Sequence, residues 1–233
     1  MGVQRLTSVS LLSLVLGLPA WAILPGTAQP VALVSKVILD VARSSEGNDW
    51  LAATRGEVLL SGDRIRTGLN SLAVIKFKDN SMVRVRERSE LTVAGYEENG
   101  AFSKTLTLEK GVTGFSIRKQ RQNEEFRFLS PTSVASVRGT GGQFSVQDSA
   151  DILIVTHGLM EMMNNVSGET VRIPAGYTGI SRADGTTQTR VSTPEEQHQA
   201  QNASRPSDRD NHFELDLRDN QGNTRKLRIE FHD

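Results

Sequence analysis

Beyond residue 30 the chain never sustains a helical hydrophobic period. Short runs of apolar and β-branched residues recur instead, separated by Gly, Asn, Asp and Ser. The candidate strands are Val31–Val41, Glu57–Leu60, Leu72–Phe77, Met82–Val85, Glu90–Val93, Lys104–Leu108, Thr113–Ile117, Glu125–Phe128, Ser133–Val137, Gln143–Val146, Ile152–Thr156, Leu159–Asn164, Thr170–Ile173 and Gly179–Ser181. In a strand, side chains alternate between two faces, so such runs bury one side and must find neighbours for their backbone. Many of them at short spacing specify an all-β protein. Gly139, Gly158 and Gly176 lie 19 and 18 residues apart. That spacing is compatible with the coils of a β-solenoid. The residues between the glycines match poorly, so the expectation is a β-solenoid-like or twisted sandwich core over residues 31–182.

The stretch "RGTGGQF", Arg138 to Phe144, raises the question of a phosphate loop. Such a loop lies between a strand and a helix, whose N-terminus faces the anion. Here the glycines lead into Phe144-Ser145-Val146, an alternating run that reads as a strand, and no Lys-Ser or Lys-Thr pair follows. Glycines in a strand pattern mark a bulge or a close backbone approach. Arg138, Gly139, Thr140 and Phe144 are therefore expected to form a structural junction.

The N-terminus has the layout of a secretory signal peptide: Arg5, an apolar run from Leu6 to Leu18, Pro19, then Ala20-Trp21-Ala22 as a small-x-small cleavage site. Residues 1–22 are read as that signal, with an alternative end at residue 28. The run is too short to span a bilayer, so no membrane span is expected after cleavage. The protein is expected to be exported, to the periplasm or beyond the cell. With no cysteine in the chain, disulfides and cysteine-held metals are excluded.

Formal charge sums to zero. Residues 31–190 hold 20 Lys and Arg against 18 Asp and Glu, and residues 191–233 hold 6 against 9. Neither balance fits a nucleic-acid binder. One local concentration stands out in "IKFKDNSMVRVR". Lys76, Lys78, Arg84 and Arg86 fall on one strand face if Asp79–Met82 is a turn. Like charges set opposite one another destabilise a sheet by roughly 0.2–1 kcal/mol per pair. An anionic partner would offset that cost, either an acidic envelope protein or an anionic glycan. The bland reading is a solvated face that resists edge-to-edge aggregation. Three of the four histidines lie beyond residue 190 and show no metal-ligand spacing. No Gly-x-Ser-x-Gly elbow exists, and no cofactor or metal site is expected.

Toward the C-terminus, Thr193-Pro194-Glu195-Glu196 is a capping box with Pro at the first helical position. The polar stretch after it offers no face to bury, so residues 183–212 are read as a polar linker that admits a short helix. Residues 213–231 alternate on both sides of Gly222 and read as a β-hairpin. A turn tip at Gly222 would pair Phe213 with Phe231, Leu215 with Ile229 and Leu217 with Leu227. It would also pair Asp216 with Arg228, and Glu214 with Glu230. Such a hairpin needs cover for its apolar face, and the expectation is that it caps an open end or edge of the β domain, with docking on another protein as the alternative.

Taken in order, Gly62-Asp63, Thr67-Gly68, Ser71, Ala73, Phe77 with "KDNS", Leu91, Leu108, Gly111, Pro131-Thr132, "VRGT" from Val137, Phe144, Val146, Val155, Gly158 and Ala175-Gly176 resemble the FecR domain. This is the periplasmic module of iron-dicitrate-type signalling regulators, and the likeness covers about residues 57–177. Two departures stand out. Asp79-Asn80-Ser81 replaces the usual Asp-Gly-Ser, and two extra residues separate "RGT" from Phe144. An insertion of two keeps the strand parity, so Phe144 still faces inward if a bulge or wide turn absorbs it. The signalling regulators carry an anti-sigma segment and a spanning helix before this domain. Here five residues precede the apolar run, which implies a freestanding exported FecR-domain protein. The resemblance implies a non-enzymatic envelope module that binds a protein or glycan partner, with a signalling role in view. The alternatives are a carbohydrate-active or other hydrolase with an unrecognised site, and a purely structural surface protein.

Overall fold

The computed structural model describes residues 29–45, 47, 49–98 and 100–204, together with the strands 212–218 and 224–230. The signal-peptide reading of residues 1–22, or 1–28, lies outside the described residues. In chain order the elements are β1 (Pro30–Ile38), β2 (Val41–Ser44), β3 (Leu51–Ala52), β4 (Val58–Leu60), β5 (Arg64–Thr67), β6 (Leu72–Phe77), β7 (Met82–Val85), β8 (Glu90–Glu98) and β9 (Ala101–Ser116). They continue as β10 (Phe126–Leu129), β11 (Ser133–Val137), β12 (Gly141–Val146), β13 (Ala150–His157), β14 (Leu159–Asn164), β15 (Thr170–Pro174), β16 (Tyr177–Arg182), β17 (Thr187–Val191), α1 (Pro194–Ser204), β18 (His212–Arg218) and β19 (Thr224–Glu230). Among the described residues the protein is all-β apart from α1.

The first 17 strands form one connected network made of two ladders that share β9. The first ladder runs β4-β1-β6-β7-β9-β12-β13-β16-β17. The second runs β3-β2-β5-β8-β9-β10-β11-β14-β15. β9 bends at Gly111, whose φ is +97°. Its residues before the bend pair with β8 and β10, and those after it pair with β7 and β12.

The ladders face each other and enclose one apolar core. Rings from opposite ladders meet at its centre: Phe77 and Phe126 at 5.2 Å, Phe115 and Phe128 at 4.8 Å, Phe128 and Phe144 at 5.9 Å between centroids. Each such ring removed from water contributes about 1.5–3 kcal/mol. Of the two architectures expected, the facing ladders correspond to the sandwich. A solenoid stacks parallel coils, whereas every pairing in this network is antiparallel except β9–β10. From β10 onward the chain visits each ladder in hairpin pairs and then crosses over. Gly139, Gly158 and Gly176, with φ of +74°, +85° and +85°, mark the crossings β11 to β12, β13 to β14 and β15 to β16. Their near-regular spacing is therefore the length of two strands and a turn, not a solenoid coil.

The C-terminal region corrects two expectations. Residues 183–204 are not a solvated linker: β17 extends the first ladder, and α1 buries Ala200, Ala203 and Ser204. Two alanines on one side of a polar helix are too weak a signal for a periodicity argument, yet they are small enough to let the helix lie close on a sheet. The hairpin forms, but its register is shifted by two residues. Phe213 lies opposite Ile229, Leu215 opposite Leu227, Glu214 opposite Arg228 and Asp216 opposite Lys226. A shift of two preserves which residues share a face. It also replaces the Glu214–Glu230 juxtaposition with positions of opposite charge, the favourable cross-strand arrangement.

Candidate functional site

The Arg138–Phe144 segment carries the chain from one ladder to the other. Arg138 is exposed, while Thr140 and Phe144 are fully buried. Gly139 is left-handed, and a Cβ there would sit 3.1 Å from the Lys119 Cα. Thr140 donates its hydroxyl to the Leu159 carbonyl at 3.2 Å and accepts the Ile117 N–H at 2.9 Å. The register slips between Gly141 and Gly142, and a Cβ on Gly142 would lie 2.1 Å from the Ile154 carbonyl oxygen. The glycines thus carry a crossover, a bulge and a tight strand contact. Residues 141–146 pair with β9 and β13 on their two sides, an arrangement unlike the strand–loop–helix of a phosphate site.

A second arrangement lies on the outer side of the first ladder. One cross-strand row reads Lys36, Val74, Arg84, Gly114, Gln143, Ile154, Thr178, Arg190. Helix α1 lies along it. At its start Thr193 accepts the Glu196 N–H at 3.2 Å, and the Glu196 carboxylate accepts the Thr193 N–H at 2.8 Å, a reciprocal capping box. The Glu196 carboxylate also takes both Arg190 guanidinium nitrogens, at 2.6 and 2.8 Å. This pairing, first among several hydrogen bonds, holds its pKa at about 2. At the far end the helix backbone presses onto Gly114, where a Cβ would lie 1.8 Å from the Ala203 carbonyl oxygen. Arg84 donates to the Ser204 carbonyl at 2.6 Å, and Arg86 to the Asn202 and Ala203 carbonyls at 2.5 and 3.0 Å. Cations at a helix C-terminus meet both its unpaired carbonyls and its dipole.

This placement divides the four basic residues expected to share one solvent face. Lys76 and Lys78 are exposed, but Arg84 is 2% exposed and sits at the end of α1. The charges do not oppose one another: Arg84 faces Val74 across the ladder, and Lys76 faces Met82. The arginines already have acceptors in their own chain, which the sequence reading missed because it placed a linker there.

Two polar sites went unforeseen. An open groove of about 650 Å³ lies beside the 121–125 loop and the Arg138 crossover. Arg121, Glu124, Glu125, Arg138, Leu159 and Glu161 are among its lining residues. Its one aromatic, Phe126, is 1% exposed and turned into the core. The second site is Asp151, which is fully buried. One of its carboxylate oxygens accepts the hydroxyls of Ser130, Thr132 and Ser133, while the other has no hydrogen-bond partner. The hydroxyl-rich Ser130-Pro131-Thr132-Ser133 turn was the available sequence signal. A buried lysine adds a third polar knot, structural in kind. Lys104, 3% exposed, donates to Asp79 at 2.9 Å and to Gln120 at 3.0 Å. Burial alone would raise the Asp79 pKa, but Lys104, the Ser81 N–H and Gln120 outweigh it and hold the carboxyl below its ordinary value. Among the described residues no group of three or more His, Asp or Glu is placed to hold a metal ion.

Comparison with known proteins places much of this arrangement. Residues 63–160 match the family model described as FecR protein. Those residues form a FecR domain. It contains the Arg138 crossover, the groove loop, Asp151, and both arginines that cap α1, while β15–β17, α1 and the hairpin lie beyond the matched segment. No curated protein matches the chain. Two crystal structures of a proposed anti-sigma factor from Parabacteroides distasonis, at 1.65 and 2.50 Å, are similar to it. Their identities to the chain are 12% and 13%, with TM-scores of 0.49 and 0.48. Each alignment covers 57% of this chain and 61% of the other, so the chain spans about three-fifths of those relatives' length.

Proposed function

We propose that this FecR-domain protein is an exported, non-enzymatic signalling module of the cell envelope, and that it binds a protein partner at the Arg121–Arg138–Glu161 groove. The observation that carries this reading is the FecR match itself, because all of the groove's lining except Glu161 falls within it. The groove's volume suits a bound chain segment or side chain, within the usual range of about 300–1,000 Å³ for ligand sites. Its mixed charge fits a polypeptide carrying both signs. Stacking on a sugar needs an exposed aromatic face, and Phe126 offers none. That favours a protein over a glycan. Leu159, 48% exposed at the groove's rim, supplies an apolar anchor.

Export rests on Arg5, the apolar run and Ala20-Trp21-Ala22. No helix among the described residues is long and apolar enough to cross a membrane. N-terminal sequencing of the mature protein should begin at Ile23 or Gln29, and recovery of the intact Met1 terminus from cytosol would contradict export. The binding reading is tested by affinity capture from envelope extracts with wild type and the charge-reversed Arg138→Glu, Glu161→Arg variant. The expected result is a protein captured by wild type and lost with the variant at unchanged Tm. Equal capture by both places the partner elsewhere on the molecule.

A further inference from the structure

The outer side of the first ladder has two parts. Helix α1 covers the first part, over β13, β12, β9 and β7, and stops at Ser204. The second part lies past β7, on the same side of β6 and β1. There Ile38, Leu72 and Val74 form an apolar cluster separate from the sandwich interior. They point away from that interior, because Ala73, Ile75 and Phe77, which alternate with them on β6, belong to it. Yet they are only 4–6% exposed. Apolar side chains buried on the outer face of a sheet require a cover.

The chain after α1 supplies one. Its next described element is the β18–β19 hairpin. The register puts Phe213 opposite Ile229, Leu215 opposite Leu227 and Leu217 opposite Arg225, so one face of the hairpin is apolar except for Arg225 at its turn end. A lone two-stranded hairpin is marginal in water and needs another surface for that face. Geometry favours the β6–β1 patch. Residues 205–211 reach about 25 Å when extended, and from β7 to β1 is two strand spacings, about 10 Å. The helix ends directly beside the patch, since Arg84, which caps Ser204, faces Val74 across the ladder. The open end of the sandwich beside β17, by contrast, lies at the helix start.

We infer that the β18–β19 hairpin docks with its apolar face on the outer side of β6 and β1, over Ile38, Leu72 and Val74. It continues the cover that α1 begins. The FecR domain is then strapped along its outer face by the chain's own C-terminus, on the side of the molecule where the Arg84 and Arg86 caps hold the helix end.

The absence of cysteine makes the test direct. A nitroxide placed at Lys76→Cys, an exposed site on β6 beside Val74, should strongly broaden the amide signals of residues 212–230 in the full-length protein. Mixing labelled protein with isotope-labelled, spin-free protein should broaden nothing, because the contact is within one chain. Signals of 212–230 left sharp while those of β7 broaden would overturn the inference, as would broadening seen only in the mixed sample. A thermodynamic cycle gives an independent reading. Val74→Asp and Leu227→Asp should each lower Tm, and the double variant should fall no further than the worse single one. Fully additive losses would show that the two residues do not meet. If Val74→Asp does not fold, the spin-label result stands by itself.

Discussion

Gly114 is where the helix and the sheet have least room, so Gly114→Ala should lift the end of α1. A Cβ at this position would lie 1.8 Å from the Ala203 carbonyl oxygen, 2.1 Å from its carbon and 2.7 Å from the Ser204 nitrogen. All three are backbone atoms, which cannot rotate away as a side chain would, so the helix end must move. Moving it uncovers the Ala200 and Ala203 methyls and part of Ile154. At about 0.8 kcal/mol per methyl-sized group this is about 2 kcal/mol. The Arg84 and Arg86 bonds to the last carbonyls stretch as well, and a hydrogen bond to a charged group contributes about 1.5–3 kcal/mol. Arginine can follow the helix, so the net loss is expected at about 2–4 kcal/mol. For a domain of this size that is a fall in Tm of about 5–15 °C. Calorimetry on the full-length protein measures it. The same substitution in a chain ending at residue 193 should have almost no effect, because the obstructing backbone is gone. An unchanged Tm in the full-length protein, or an equal loss in both chains, would refute the close helix–strand contact.

Other outcomes follow from the same geometry. Gly139→Val should cost about 1–3 kcal/mol through its left-handed backbone, and Phe144→Ala about 3–5 kcal/mol through the cavity it opens, both read from denaturant midpoints. Lys76→Gln with Lys78→Gln should change stability by less than about 0.5 kcal/mol, as surface substitutions do. Arg84→Gln should cost about 1.5–3 kcal/mol, because it leaves the buried Ser204 carbonyl without its charged donor. The Glu196 carboxyl has a folded pKa near 2 against an ordinary value of 4.5. The stability it contributes is therefore complete above about pH 4.5 and lost as pH falls through 2. Acid titration of wild type against Glu196→Gln should show that extra acid sensitivity in wild type alone.

Most interior strands were legible because they carry a strong period-2 pattern. The ranges Leu72–Phe77, Met82–Val85, Ser133–Val137 and Leu159–Asn164 coincide with β6, β7, β11 and β14. β2 was touched only at Val41, the short β3 was missed, and so were β5 and β17. Arg64-Ile65-Arg66-Thr67 buries mainly Ile65 and Thr67, and Thr187–Val191 has no fully buried residue, so neither shows apolar alternation. β9 was read as two strands, Lys104–Leu108 and Thr113–Ile117, because Gly111 interrupts the pattern where the strand bends from one ladder to the other. The candidate site was less legible. Arg84 and Arg86 looked like a solvent face because alternation reports which side of a strand a residue occupies, not what lies on that side. The groove depends on the β10–β11 hairpin returning Arg138 beside the 121–125 loop and on Leu159 and Glu161 of the next crossover joining them, and Asp151 depends on hydroxyls about 20 residues before it. Such assemblies are made by topology and leave little local trace.

The central claim, that the FecR domain takes its partner at the groove beside Arg138, is tested most directly by crosslinking in living cells. A photoreactive residue is placed at Arg138 or Leu159 in the groove, and at Tyr96 or Lys78 as exposed comparison positions. The account predicts one envelope protein crosslinked from both groove positions and from neither comparison position, with the adduct abolished by Arg121→Glu. Crosslinks formed equally from all four positions, or only from Tyr96 and Lys78, would contradict it.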